Sequence, residues 1–132
     1  MPELQEKLSA SSFNSFLGLV VEEASPEQQR ITVRVKLRPE LERGRDTGQW
    51  HGGVIAALID IVGDYALVML LGRPLPTINF RVDYLRPAIN TSLKVVAQVI
   101  RAGKSIGVVD VNVLNEAGEL VAVGRANYST LS

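Results

Sequence analysis

The chain has no cysteine, a single histidine, a single tryptophan and no excess of either charge. Without cysteine there is no disulfide, no thiolate metal site and no cysteine nucleophile, a composition that suits a reducing compartment. Lys plus Arg equals Asp plus Glu at 14 each, so no basic surface is laid out for a nucleic acid and no net charge selects a polyanion. The N-terminal residues MPELQEKLSASSF lack the continuous apolar core of a signal peptide, and the expected location is the cytoplasm. A length of 132 residues fits one folding unit, residues 1–132, and leaves no room for two domains with a linker. The longest hydrophobic run, Val54 to Leu71, is interrupted only by Asp60, Gly63 and Asp64. Each carboxylate would cost about 2.5–3.5 kcal/mol near the centre of a membrane-spanning helix, so no membrane partner is expected. The run reads instead as a helix wrapped by other elements.

Around that run the pattern is mostly that of strands. Residues Pro2 to Ser11 suggest a short amphipathic helix, and FLGLVVEEA from Phe16 reads as a strand. After the turn SPEQQ, Ile31, Val33, Val35 and Leu37 alternate with Thr32, Arg34 and Lys36, which predicts a half-buried strand over Arg30 to Leu37 and a hairpin with the first. RPELERGRDTGQ is a charged loop leading into a helix from His51 to Leu71, which GRPLP ends. Four strands follow, over Thr77 to Arg86, Leu93 to Ala102, Ser105 to Leu114 and Glu119 to Ser129, the last three forming a meander. The expected class is α+β: six antiparallel strands of one curved sheet around one long buried helix, with a short N-terminal helix.

The lone His51 and lone Trp50 sit together in GQWHGG, at the start of the long helix. Two adjacent glycines weaken a helix start unless the backbone must approach something closely, and the first helical turn offers unpaired N–H groups at the positive end of the dipole. The motif therefore reads either as an oxyanion site with Gly52 N–H as leading donor or as an ordinary loop-to-helix junction packed on glycine. Asp60 and Asp64, four residues apart, share one helical face and repel. Burial and like charge raise the pKa of at least one of them, whether they are held for chemistry or placed at a wet seam between subunits. Asp60 follows His51 by nine residues, about 13–14 Å along a helix and half a turn around it. One chain cannot bring both to one reacting carbon; a two-fold dimer of antiparallel helices would do so twice.

These residues resemble the hotdog-fold thioesterases, in particular the PaaI-like (phenylacetate-degradation type) branch. The resemblance runs from about Gly18 to Tyr128 and is carried by Gly48, His51, Gly52, Gly53, Leu58 and Asp60 in G-x-x-H-G-G-x-x-x-x-L-x-D, with Tyr84-Leu85-Arg86-Pro87 later in the chain. It implies a hotdog fold, hydrolysis of a medium-chain or aryl-acyl-CoA thioester without metal or other cofactor, and a homodimer that commonly pairs into a homotetramer. By position it implies that Gly52 N–H polarises the thioester carbonyl and that Asp60 of the other subunit is nucleophile or general base. His51 would orient the loop and the thioester, and the Thr77 hydroxyl would hold the water or the carboxylate.

Two residues depart from the family pattern. Arg45 stands where relatives often carry asparagine six residues before the histidine, and Asp64 where a small or hydroxyl-bearing residue is common; Asp64 would then raise the pKa of Asp60, hold water differently or recognise a polar acyl group. Gly53, at the same helix start, belongs to the substrate-binding set. Arg86, Arg101 and Lys104, with backbone N–H groups of the turn Ala102 to Ser105, are candidate contacts for the CoA phosphates. Trp50 either lines the acyl pocket or packs at the dimer interface. Two alternatives stay open: a hotdog hydratase or dehydratase, for which a lone imidazole would have to do all the proton transfer, and a non-catalytic module that binds acyl-CoA.

Overall fold

The structure, a computed structural model, describes residues 2–132. Its strands are β1 (Val20–Ser25), β2 (Arg30–Val35), β3 (Thr77–Tyr84), β4 (Leu93–Ala102), β5 (Ile106–Leu114) and β6 (Leu120–Ser129). They form one sheet in the order β1-β2-β4-β5-β6-β3, every pairing antiparallel. The period-two alternation works as expected in β4 and β5, where Leu93, Val95, Ala97 and Val99 and then Val109, Val111 and Val113 are buried.

That inner face holds the helix α3, Gly52–Leu71. Ile55, Leu58, Ile59, Val62, Ala66 and Leu67 recur at helical spacing and enter the core shared with the strands. Gly63 is what lets the helix lie close to β6: a Cβ there would stand 2.5 Å from the Tyr128 hydroxyl oxygen. Tyr128 is fully buried, and its hydroxyl donates to the Asp60 carbonyl at 2.6 Å, so this close approach also sets the depth of Asp60. At the far end Gly72, at φ 76°, caps the helix by donating to Val68 O at 2.7 Å.

The N-terminal region departs from expectation. Two helices precede the sheet, α1 (Pro2–Ser9) and α2 (Ser12–Leu17), so the segment from Phe16 begins as the end of a helix and the strand starts at Val20. The Ser11 side chain caps α2 by accepting from Asn14 N, and Gly18, at φ 76°, ends it. In a six-residue helix these local caps outweigh the β-like composition of FLGLVV. Gln5 of α1 then reaches β1 with both ends of its amide, accepting from Val21 N at 2.6 Å and donating to Leu19 O at 3.0 Å. It takes up backbone groups on the outer edge of β1 that a further strand would otherwise use. The opposite edge, β3, pairs only with β6 and carries Ile78, Phe80 and Tyr84 as exposed large side chains.

The sheet and α1 do not cover α3 completely. Gly53 is exposed, and Ala57, Asp60 and Asp64 are half-buried. The spacing of these four places them on one stripe of the helix, beside the edge strand β3.

Candidate active site

His51 is the N-cap of α3, in an extended conformation that turns the chain from loop to helix. Its Nδ1 accepts the Gly53 N–H at 2.8 Å, and its carbonyl accepts the N–H groups of Val54 at 3.0 Å and Ile55 at 3.2 Å. Of the four N–H groups that open the helix, three are therefore taken, and among the described residues the Gly52 N–H alone has no partner. An unpaired N–H at the positive end of a 20-residue helix can hold a developing oxyanion. An Nδ1 that accepts a hydrogen bond puts the proton of neutral His51 on Nε2, so the exposed side of the ring is a donor.

Gly52 lines a cleft of about 580 Å³ between the start of α3, the preceding loop and the end of β3, together with Arg43, Trp50, His51, Gly53, Tyr84 and Arg86 among others. Tyr84 donates its hydroxyl to Gly52 O at 2.5 Å. Arg86 pairs with Glu119 at 2.6 Å; both are half exposed, so the pair adds little stability and leaves the guanidinium open to other anions. Trp50 presents only a sliver of its surface, being 2% exposed, because its indole N–H must find an acceptor when buried and finds Thr91 O at 2.7 Å. It packs in the core of its own chain and also borders the cleft.

A second cluster lies on the half-covered stripe. Thr77, the first residue of β3, donates its hydroxyl to Asp60 Oδ1 at 2.8 Å. One turn further along the helix, burial and then the Asp60 charge push the Asp64 carboxyl up from 3.8 to about 7. Asp64 Oδ1 is buried with no hydrogen-bond partner among the described residues. The native state thus retains a proton that the unfolded chain has released, and stability falls as pH rises from about 4 to about 7. Asp64→Asn should remove this slope, stabilising the protein at pH 8 by about 2 kcal/mol once solvent screening of a partly exposed group is allowed for. Thermal unfolding at pH 5 and pH 8 measures it; an unchanged difference between the two midpoints would assign the slope to another group.

The structure divides the expected site residues into three places. Trp50, His51, Gly52, Gly53 and Arg86 meet in the cleft, Asp60, Asp64 and Thr77 on the stripe, and Arg101, Lys104 and Ser105 in the β4–β5 turn. The ladders set these apart: Tyr84 pairs with Ala122 near the β5–β6 turn, whereas Thr77 pairs with Tyr128, itself beside Gly107 and the β4–β5 turn. Within one chain Arg86 and the pair Arg101 and Lys104 therefore lie at opposite ends of the sheet. In that turn the Gly103 N–H is already spent on Ile106 O at 3.0 Å, which removes one of the expected anion donors. Arg43 escaped notice because nothing distinguishes it from its neighbours in a charged loop. Tyr84 had a signal, its place in YLRP, but no spacing rule links it to a glycine 32 residues earlier.

A curved antiparallel sheet around one helix, with a glycine-flanked helix start opening on a cleft, is the hotdog arrangement. Residues 47–122 match the family described as the thioesterase superfamily. A solved structure of a thioesterase-superfamily protein is similar with a TM-score of 0.90 at 38% identity, covering 97% of this chain and 96% of its own. A mutant of the phenylacetic acid degradation protein PaaI from Thermus thermophilus is similar at 25% identity and a TM-score of 0.78, over 92% of this chain and 100% of its own. Acyl-coenzyme A thioesterase 13 of Homo sapiens is 29% identical over 120 residues, 88% of this chain and 83% of the relative. The chain belongs to the thioesterase superfamily, in its PaaI-like branch, and is a thioester hydrolase.

Proposed function

We propose that the protein hydrolyses a medium-chain or aryl-acyl-CoA thioester to the free acid and CoA, at two sites that a homodimer completes. Acyl-CoA thioesterase activity is supported at the level of the family. The observation that carries the shared site is the position of its halves along β3. Asp60 is tied to Thr77 at the start of that strand and Gly52 to Tyr84 at its end, and along α3 Gly52 and Asp60 are eight residues, about 12 Å, apart. Within one chain they cannot meet on one carbonyl. Pairing the free edge of β3 with a second copy, antiparallel about a two-fold axis near Phe80 and Arg81, sets each Thr77 beside the other chain's Tyr84. The same axis lays the small residues Gly53 and Ala57 of one helix against Asp60 and Asp64 of the other, where missing side-chain bulk allows close approach.

In this site the thioester carbonyl oxygen lies on the Gly52 N–H of one subunit. Asp60 of the other, steadied through Oδ1 by Thr77, takes the proton of a water that attacks the carbonyl carbon. Negative charge moves to the carbonyl oxygen and is held by the amide and the helix dipole. Collapse breaks the carbon–sulfur bond, and the proton on Asp60 passes to the departing CoA thiolate. The His51 Nε2–H faces the thioester as a donor; its other nitrogen is held by Gly53 N–H, which leaves no free lone pair for a general base and disfavours a hydratase. Arg43 and Arg86 at the cleft are the contacts we assign to the CoA phosphates.

Purified protein offered a panel of medium-chain and aryl-acyl-CoA thioesters should release free thiol, followed by a thiol-trapping reagent, with one free acid per CoA. Tight binding of acyl-CoA with no thiol released from any member would favour a binding module. Loss of enoyl absorbance without thiol would favour hydration.

A further inference from the structure

The peptide that joins Gly52 to Gly53 is gripped from both sides. Its N–H donates to His51 Nδ1 at 2.8 Å, and its carbonyl accepts the Tyr84 hydroxyl at 2.5 Å. The preceding peptide, whose N–H is the unpaired one, has its carbonyl bound by Val54 and Ile55. Both peptide planes that meet at the Gly52 Cα are thus held, and the only contact among these that comes from outside the turn is Tyr84, from the end of β3. Burial raises the Tyr84 hydroxyl above its ordinary value, so it is a protonated donor throughout the neutral range. Glycine at position 52 makes a grip necessary, since without Cβ it is the residue whose backbone dihedrals are least confined. The ring also stands in ordinary contact with that position, 3.5 Å from where a Cβ would be.

We propose that Tyr84 is a positioning residue for the reaction: its hydroxyl, bound to the Gly52 carbonyl, holds the first turn of α3 so that the Gly52 N–H stays unpaired and aimed at the thioester oxygen. The inference rests on the reading of Gly52 as oxyanion donor. It adds that the donor is set by the edge strand as well as by the helix, and that pairing at the free edge of β3 and polarisation of the carbonyl are connected through one side chain. A donor that wanders costs transition-state stabilisation more than substrate binding, because the charge it meets develops only during reaction.

The test is Tyr84→Phe, which keeps the ring and removes only the hydroxyl. With the best thioester of the panel, kcat should fall about tenfold with KM within about twofold, a fraction of the loss that follows complete removal of a donor. A second readout does not use activity. The Gly53 nitrogen shares its peptide with the gripped carbonyl, so its ¹⁵N resonance should move in the variant while that of Gly72, at the far end of α3, does not. An unchanged kcat, an unchanged Gly53 resonance, or a matched worsening of kcat and KM with a lowered melting temperature would each overturn the role. Gly52→Pro assayed alongside separates this inference from its foundation. A folded but inactive Gly52→Pro beside a fully active Tyr84→Phe removes the tyrosine's role and leaves Gly52 as the donor. A folded Gly52→Pro at the wild-type rate refutes the reading of Gly52 as donor, and the role of Tyr84 with it.

Discussion

Asp60→Asn is expected to lower kcat about a thousandfold, the upper part of the range for loss of a positioned general base, while KM changes little. The substitution is nearly isosteric. Its amide oxygen can keep the 2.8 Å hydrogen bond from Thr77, and the backbone bond from Tyr128 to the residue-60 carbonyl is untouched, so the helix should hold its depth in the sheet. What is lost is the ability to take a proton from water. Asparagine also removes the charge that helps push Asp64 up, so Asp64 should ionise at lower pH in this variant. Steady-state kinetics and a melting curve together decide the matter: a variant that turns over within tenfold of wild type takes Asp60 out of the chemistry.

The second large effect is expected from Gly52→Pro, which deletes the proposed oxyanion donor and little else. Position 52 is the first residue of α3, where proline is favoured because its missing N–H has no helical partner in any case. His51 before it is extended, at φ −67° and ψ 131°, the conformation that a following proline requires. A Cβ there meets the Tyr84 ring at 3.5 Å, an ordinary contact. The variant should therefore fold with a melting temperature near that of wild type and lose about 10²–10³ in kcat. Full activity in a folded Gly52→Pro would show that the carbonyl oxygen is held elsewhere.

The fold was legible in the sequence where pattern and burial agree. Alternation in β4 and β5 and the long apolar run of α3 mark elements whose side chains meet the core at the spacing of their own backbone. It was illegible at Ser12–Leu17, because two capping contacts rather than an apolar face decide a six-residue helix. At the candidate site the local part was legible: HisGlyGly marks a helix start with open N–H groups, although alone it fits a packed junction as well as an oxyanion site. The spacing from His51 to Asp60 is local too, and it says that one chain cannot bring both to one reacting carbon. Trp50 and Tyr84 were opaque for the opposite reason: the acceptor of one is Thr91 O and that of the other Gly52 O, each brought near only by the folded sheet. The cations at turns were equally opaque, since which end of the sheet a turn occupies is a property of strand order.

The central claim is that one catalytic site draws its amide from one chain and its carboxylate from another. It is tested most directly by mixing the two inactive variants, Asp60→Ala and Gly52→Pro, under conditions that let subunits exchange. A mixed dimer then contains one site with both defects and one with neither. Random pairing of equal amounts makes about half of the dimers mixed, so thioester hydrolysis should recover to about a quarter of the wild-type rate. Each variant alone, treated in the same way, should stay inactive. No recovery on mixing, with exchange confirmed by a tagged subunit, would contradict the shared site.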